Sequence, residues 1–163
     1  MKISQHRHDS WIDPSTGSVV LIEDIVALIR SNHKRTVHVG TDSHRFKGPN
    51  NKDTYVFATV ICIYEIGKGA DYYFKKDIRH MMGKDLRQRI VDEVTCSIDV
   101  SLELMEHDLA NQIIVHADIN SDANHKTFRY LNQIRSWILS TGLDFRCKPN
   151  AWASSGVADR HAK

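Results

Sequence analysis

The hydrophobic pattern along the chain changes between the two-residue period of strands and the 3.6-residue period of helices. Residues 18–31 carry apolar side chains at helical spacing and predict an N-terminal helix. Three strand-like stretches follow at residues 36–43, 54–65 and 70–79, separated by segments rich in Gly, Pro, Asn and charge. These connections predict an antiparallel meander in which residues 44–53 form a loop.

The second half of the chain alternates helices with strands. Residues 84–107 predict a long amphipathic helix, and residues 111–120 form the near-continuous apolar run that is typical of a buried parallel strand. A helix over 125–141, a short strand over 144–148 and a small helix over 151–163 complete the order. A meander followed by this alternation predicts an α/β fold, with a mixed five-stranded sheet flanked by helices and an extra N-terminal helix.

Length and composition favour one soluble domain. The chain has 163 residues, of which 41% are hydrophobic and 26% are charged, so it can bury a real core and differs from disordered sequences. We expect a leader over residues 1–17 and a single domain over residues 18–163. The leader lacks the apolar segment of a signal peptide and no stretch is long enough for a membrane span, so we expect a cytoplasmic location without a membrane partner. The three separated cysteines indicate neither a disulfide framework nor a zinc site.

Two aspartates come at the ends of apolar strands. Asp42 ends the strand that begins at Thr36, and Asp118 lies near the end of the strand over 111–120. In α/β sheets, ligands bind outside the carboxyl ends of strands, so two adjacent parallel strands would project these carboxylates into one crevice. A metal ion would then be their partner. A turn former or a helix N-cap is the alternative interpretation of either aspartate alone.

Two further carboxylates are candidates for the same crevice. Glu93 lies beside Ile90 and Val94 on the buried side of the predicted long helix, whereas Asp92 points about 100° away around that helix. Asp159 lies in the C-terminal helix among small residues that permit a close approach to the sheet. The alternative is that both acids lie at the surface.

Acids in this order, on a meander followed by alternating elements, resemble the ribonuclease H-like superfamily. The segments that carry the resemblance are VGTDS, RIVDE, VHADIN and VADRHAK. More narrowly, HVGTDSH, GADYYFKK, HADIN and KPNAWASSGVADRHAK look like the YkuK-type family of ribonuclease H-like proteins, from about residue 35 to the C-terminus. The last of these segments is the most specific.

The resemblance implies a divalent-metal-dependent nuclease or phosphodiester hydrolase that acts on RNA or an RNA-containing duplex. It also implies a site for one or two Mg²⁺ or Mn²⁺ ions, made of the four acids Asp42, Glu93, Asp118 and Asp159. Two ions about 4 Å apart activate the attacking water and stabilise the leaving oxygen in such sites. Asp92 and Asp122 are alternatives to Glu93. The alternative function is a non-catalytic ribonuclease H-like module that binds nucleic acid or protein.

Polar and basic side chains near these acids are candidates for contacts with a substrate. The substrate-binding candidates are Ser43, Lys148, Arg160 and Lys163. Their hydroxyl and cationic groups suit phosphate oxygens, and capped turns or solvated charges are the alternative. His161 is a candidate proton shuttle, because imidazole titrates near neutrality and ribonuclease H-like enzymes often place a histidine close to the last acid. His44 and His116 flank the strand acids, either as partners of the metal site or as structural histidines.

The overall charge says little about a nucleic-acid partner. The formal net charge is +2, from 22 Lys and Arg against 20 Asp and Glu, and a local basic groove on such a protein is sufficient to bind nucleic acid. Residues 75–89 concentrate Lys and Arg and are a candidate for gripping a nucleic-acid backbone. The chain contains neither a GxGxxG motif nor a P-loop, which weighs against a nucleotide-dependent phosphotransferase.

Overall fold

The computed structural model describes residues 10–80 and 85–163, in which a single mixed sheet has the strand order β2-β1-β5-β4-β3-β6-β7. The strands are β1 (Ser10–Ile12), β2 (Val19–Leu21), β3 (Thr36–Lys47), β4 (Asp53–Glu65), β5 (Gly69–His80), β6 (Ile113–Asn120) and β7 (Asp144–Lys148). The helices are α1 (Ile22–Arg30), α2 (Leu86–Met105), α3 (Leu131–Ser140) and α4 (Asp159–Ala162), the last preceded by a π-helical segment, Ala153–Ala158.

The central strands are arranged as the hydrophobic pattern predicts. Strands β3, β4 and β5 form an antiparallel meander, β6 runs parallel to β3, and β7 runs parallel to β6. Strands β3 and β4 lie inside the sheet, and each of them buries side chains on both faces. The predicted mixed α/β sheet flanked by helices is confirmed.

The N-terminal region differs from the prediction. The helix predicted over 18–31 is shorter, because Val19–Leu21 pair with β1 as strand β2 and the helix begins only at Ile22. Ile12 of β1 pairs in turn with Phe74 of β5, so the sheet has seven strands instead of the predicted five. Strand β2 has only three residues, so its two-residue period could not be told apart from the helical pattern of the residues that follow it. Part of the predicted leader therefore belongs to the sheet.

Two other boundaries differ from the prediction. Residues 44–47, predicted to lie in a loop, continue β3 because each of them pairs with β4. The helix predicted over 125–141 begins only at Leu131, after a 3₁₀ turn over residues 128–130. Gly142, with φ +84°, follows the helix in the left-handed region that a glycine adopts readily at this position.

The helices cover the two faces of the sheet unequally. The main hydrophobic core lies between one face and helices α1, α2 and α3, and includes Trp11 of β1. A smaller cluster lies on the other face beneath the C-terminal segment, and its buried members are Val60, Cys62, Phe74, Ala153 and Ala158. Strand β3 is therefore packed on both faces, by the helices of the main core on one and by the C-terminal segment on the other. Among the described residues, no helix is long and apolar enough to cross a membrane.

Candidate active site

The candidate site lies where β6 separates from β3. The parallel pairing of these strands ends at Gly40 and His116, whereas β3 stays paired with β4 as far as Lys47. Asp42 and Asp118 each come two residues after the last parallel pair, and the charge of Asp118 acts on Asp42. The structure thus brings the two strand acids to one crevice at the carboxyl ends of adjacent parallel strands.

Two helices bring further carboxylates to Asp42. Asp159, at the start of α4, shares a hydrogen bond between carboxyl groups with Asp42. Glu93 of α2 is buried, with 7% of its surface exposed, and its carboxyl group interacts with both Asp42 and Asp118. The four acids singled out in the sequence, from β3, α2, β6 and α4, therefore lie near one another around Asp42.

Burial of these carboxyl groups changes their protonation. Desolvation raises the pKa of Asp42 to about 7, and the charge of Asp118 adds to the effect. Desolvation also raises the pKa of Glu93 to about 8, with a contribution from Asp42. A hydrogen bond from Lys163 instead lowers the pKa of Asp159, so the proton between Asp42 and Asp159 belongs to Asp42. Without a cation, the crevice retains carboxyl protons up to neutral pH.

Two lysines balance part of the remaining charge. The Lys148 Nζ lies 2.6 Å from Asp118 Oδ1, and the Lys163 Nζ lies 2.7 Å from Asp159 Oδ2. The Lys148 contact has ion-pair distance but not hydrogen-bond geometry, so among the described residues Asp118 Oδ1 is buried without a hydrogen-bond donor. A carboxylate oxygen in this state suits a hard divalent cation, which prefers oxygen ligands.

The carboxylates do not yet form a closed set of metal ligands. Within residues 10–80 and 85–163, no three His, Cys, Asp or Glu side chains are arranged closely enough to enclose an ion. The oxygen-only donor set suits Mg²⁺ or Mn²⁺. Lys148 contacts Asp118 Oδ1 and Lys163 contacts Asp159 Oδ2, so a cation that binds these two oxygens takes the place of the ammonium groups.

Glu93 is held in place by Ser43 and by Arg89, which ends the basic stretch 75–89 but was not predicted to contact the acids. The Ser43 hydroxyl donates to Glu93 Oε1 at 2.5 Å. The Arg89 guanidinium donates to the Ser43 hydroxyl at 2.7 Å and to the Ser43 carbonyl, and its Nε lies 3.4 Å from Glu93 Oε1. Ser43 therefore contacts a candidate ligand directly. The four-residue spacing of Arg89 and Glu93 on one helix is the sequence feature that could have revealed this pair.

Three other candidates lie within two residues of Asp42 or Asp159 along the chain. The His161 ring stacks on Phe74 with 3.7 Å between ring centroids, and its Nε2 lies 3.1 Å from the Tyr72 hydroxyl. Its imidazole thus lies against β5. Arg160 is exposed on α4. His44 is close enough to Asp159 to contribute, after Lys163, to the lowered pKa of that carboxyl group.

The two alternative acids lie elsewhere. Asp92 accepts a hydrogen bond from the Gln88 side chain one helical turn away. Asp122 is exposed in the loop after β6 and accepts hydrogen bonds from Asn124. Of the three acids considered for this position, Glu93 is the one that reaches Asp42.

His116 turns away from the acids into a second buried cluster. The backbone N–H of Ala153 donates to His116 Nδ1 at 3.0 Å, which leaves the ring proton on Nε2 to be donated to His38 Nδ1 at 2.9 Å. The His38 Nε2 then donates to the Thr36 hydroxyl at 2.9 Å. Desolvation lowers the pKa of His38 to about 4 and that of His116 to about 3, so both rings are neutral. The partnership of these histidines was missed in the sequence.

Gly40 allows the C-terminal segment to pack directly on β3. A Cβ atom at this position would lie 2.5 Å from the Ser154 nitrogen and 2.7 Å from the Ala153 carbonyl carbon. Ala153 and Ser154 are fully buried here, as the run of small residues before Asp159 predicts. This close approach positions Asp159 over Asp42.

Solved structures and a family profile show similarity to this chain. A foamy viral protease-reverse transcriptase in complex with dsDNA is similar over 80% of this chain and 92% of that chain, with 10% identity and a TM-score of 0.43. A prototype foamy virus protease-reverse transcriptase mutant is similar over 79% of this chain and 19% of that chain, with 7% identity and a TM-score of 0.39. No curated protein matches the sequence. The profile described as Ribonuclease H-like matches residues 20–163, and the chain belongs to this family.

Proposed function

We propose that this protein is a divalent-metal-dependent nuclease or phosphodiester hydrolase that acts on RNA or an RNA-containing duplex. The observation that carries the proposal is the meeting of four carboxylates, from four separate elements, in the crevice between β3 and β6. Clustering these charges is unfavourable unless cations or protons neutralise them, as the raised pKa values of Asp42 and Glu93 indicate. Membership of the ribonuclease H-like family supports this chemistry.

The four acids would hold one or two Mg²⁺ or Mn²⁺ ions. Such ions activate the attacking water and stabilise the leaving oxygen of a phosphodiester during in-line displacement. Ser43, itself fixed by Arg89, orients the Glu93 carboxylate toward the crevice. Lys148 and Lys163, once released from the acids, present ammonium groups to phosphate oxygens at the same place.

We also propose roles for Arg160 and His161, which follow Asp159 on α4. Arg160 is exposed and is proposed to contact the backbone of the bound strand. His161 is proposed to carry a proton at the edge of the site, with the Tyr72 hydroxyl orienting its ring. Of the basic stretch 75–89, residues 81–84 lie outside the described residues.

The narrower assignments are also proposals. The segment KPNAWASSGVADRHAK, which supplies Lys148, Asp159 and Lys163, supports a place in the YkuK-type family. We propose that residues 18–163 form the catalytic domain, with β1 of the leader over 1–17 added to its sheet, and that the protein acts in the cytoplasm.

Calorimetric titration with Mg²⁺ and Mn²⁺, together with cleavage of fluorescent RNA, DNA and hybrid strands, tests the proposal. We expect the wild type to bind the ions and cleave a strand, and Asp118→Asn to lose both, with cleavage reduced roughly 100-fold to 1000-fold because metal stabilisation amounts to several kcal/mol. Asp71→Asn removes an exposed carboxylate of β5 and is the matched control. Equal losses in both variants would contradict the assignment of Asp118.

A non-catalytic module that binds nucleic acid or protein is the second candidate. It is favoured by the two lysines, because their ion pairs with Asp118 and Asp159 already compensate part of the negative charge. Cation binding by the wild type without cleavage of any strand would support this function and contradict the nuclease.

A further inference from the structure

A second cavity lies at the edge of the sheet beside β7. Its volume is about 500 Å³, within the ~300–1000 Å³ range of small-molecule sites. The lining residues are Arg135, Phe145, Arg146, Cys147, Asn150 and Trp152. In the part of the chain that the structure describes, β7 pairs with β6 alone and ends the sheet, so the cavity lies at the outer edge.

The charge of this cavity is positive. Two of its six lining residues are arginines and none is acidic. Among the described parts of the chain, neither Arg135 nor Arg146 takes part in an ion pair, although other arginines do. The charge of Arg146 also reaches the buried imidazoles, where it contributes, after burial, to the lowered pKa values of His38 and His116. Two uncompensated guanidinium groups suit a phosphate.

Aromatic rings form another part of the cavity wall. The Arg135 guanidinium lies 5.8 Å from the centroid of the Phe145 ring. The Trp152 indole packs on His38 at 4.6 Å and on His116 at 5.0 Å between ring centroids, so its orientation is fixed from behind. A rigid, half-buried aromatic ring is a stacking surface for a nucleobase. The Asn150 side chain supplies both a donor and an acceptor for the edge of a base.

The cavity is connected to the acid cluster through the chain itself. Cys147 lines the cavity, and the next residue, Lys148, lies on Asp118. The turn that follows, in which the Asn150 N–H donates to the Cys147 carbonyl at 2.8 Å, leads directly to Trp152. A strand that reaches the acids at Lys148 therefore has a positively charged, aromatic cavity one residue away along β7.

We propose that this cavity binds a nucleotide, with its phosphate on Arg135 and Arg146 and its base against Trp152 and Phe145. The nucleotide is either a unit of a strand held at the acid cluster or a free mononucleotide, and both have the same chemistry. The inference rests on the proposed function because it assumes a nucleic-acid strand at the acids. It assigns to the β7 edge a recognition role that is separate from the metal ligands.

Binding without metal tests the inference apart from cleavage. Fluorescence anisotropy in EDTA measures the affinity of the full chain for a labelled ten-nucleotide single-stranded RNA, for an abasic strand of equal length, and for adenosine monophosphate and inorganic phosphate as competitors. The test variant is Arg135→Gln with Arg146→Gln. The matched control is Lys34→Gln with Lys68→Gln, two exposed lysines at the opposite end of β3 from Asp42.

We expect the arginine variant to bind the RNA about tenfold more weakly or worse, because it loses two charge-assisted contacts. The dependence of the logarithm of affinity on the logarithm of salt concentration should become shallower by about 0.7, the contribution of one neutralised phosphate on a single strand. The lysine control should bind as the wild type does. Competition by adenosine monophosphate that disappears in the arginine variant would identify a free nucleotide as an occupant and support the inference.

Two outcomes would overturn it. If the abasic strand binds as tightly as the RNA, or inorganic phosphate competes as well as adenosine monophosphate, the cavity recognises phosphate alone. If the arginine variant binds like the wild type while the wild type cleaves strands with Mg²⁺, the cavity assignment fails and the nuclease proposal stands. If binding depends on the arginines but the protein cleaves no strand, the nuclease proposal is contradicted and the nucleotide-binding cavity is supported.

Discussion

His38 and Asp42 lie on the same face of β3, and the polar clusters around them differ in how their polar atoms are satisfied. At the beginning of the strand, His38 and His116 pass hydrogen bonds from the Ala153 N–H to the Thr36 hydroxyl, and every ring nitrogen has a partner. At the other end, the buried carboxyl groups of Asp42 and Glu93 have raised pKa values because each lies near other carboxyl groups and away from water. The first cluster is complete without a ligand, whereas the second, without a cation, depends on carboxyl protons and on contacts with Lys148 and Lys163.

Gly40 lies between them. It is two residues from His38 and two from Asp42, so all three residues lie on the face of β3 that the C-terminal segment covers. That segment supplies Ala153 to the imidazoles and Asp159 to the carboxylates. One close contact therefore serves both clusters, the first by fixing structure and the second by assembling a site.

The largest expected effect on stability comes from breaking the imidazole pair. His116→Leu leaves the Ala153 N–H and His38 Nδ1 without partners, and at about 1–3 kcal/mol for each buried group the free energy of unfolding should fall by about 2–6 kcal/mol. Urea denaturation at pH 8 measures it. Asp42→Asn, in the acid cluster, should instead raise the free energy of unfolding, because it removes a buried charge. Destabilisation of similar size in both variants would remove the distinction between the clusters.

Adding a side chain at Gly40, between the two clusters, should have the next largest effect. Gly40→Ala places a methyl group against the backbone of Ala153 and Ser154, where only movement of the C-terminal segment can relieve the contact. We expect a loss of about 1–3 kcal/mol in the free energy of unfolding and weaker Mg²⁺ binding, because Asp159 moves with the segment. Gly156→Ala, with no atom within 4 Å of the added methyl group, is the control and should change neither quantity appreciably.

The sequence was sufficient to predict the strands and helices whose hydrophobic pattern repeats over several turns or residue pairs. Strands β3 to β7 and helix α2 were predicted for this reason, and the meeting of Asp42 with Asp118 follows once β3 and β6 are adjacent and parallel. The histidine pair depends on register, because a shift of one residue in β6 would turn His116 to the opposite face. The same limit applies to Arg146 and Trp152, whose cavity forms only when β7 takes its place at the edge.

The pH dependence of stability should separate the clusters in the metal-free protein. Burial raises the pKa values of Asp42 and Glu93 to about 7 and about 8, so the folded chain binds more protons than the unfolded chain and stability falls as pH rises from about 4 to 8. Burial lowers the pKa values of His38 and His116 to about 4 and about 3, so stability falls as pH decreases below about 6.5.

The two effects oppose each other between about pH 4.5 and 6.5, where stability should change little, and only the acids act above about pH 6.5. Denaturation at a series of pH values should therefore show stability declining from pH 6.5 to 8. The Asp42→Asn variant, or saturating Mg²⁺, should flatten this decline, because each removes the cost of ionising Asp42. Stability that increases over this range in the metal-free wild type would contradict the buried acid cluster.

The smallest expected effect concerns the lysines that occupy the acid cluster before a cation does. Lys148→Met removes the ammonium group from Asp118, so a cation no longer has to displace it, and Mg²⁺ affinity measured by calorimetry should rise by up to about fivefold, since such partly exposed ion pairs contribute about 0.2–1 kcal/mol. Lys163→Met should raise the affinity less, because Lys163 is 61% exposed against 40% for Lys148. Affinity that falls in both variants would mean that the lysines assist the cation, and the acid cluster would then resemble the imidazole cluster in needing every one of its present partners.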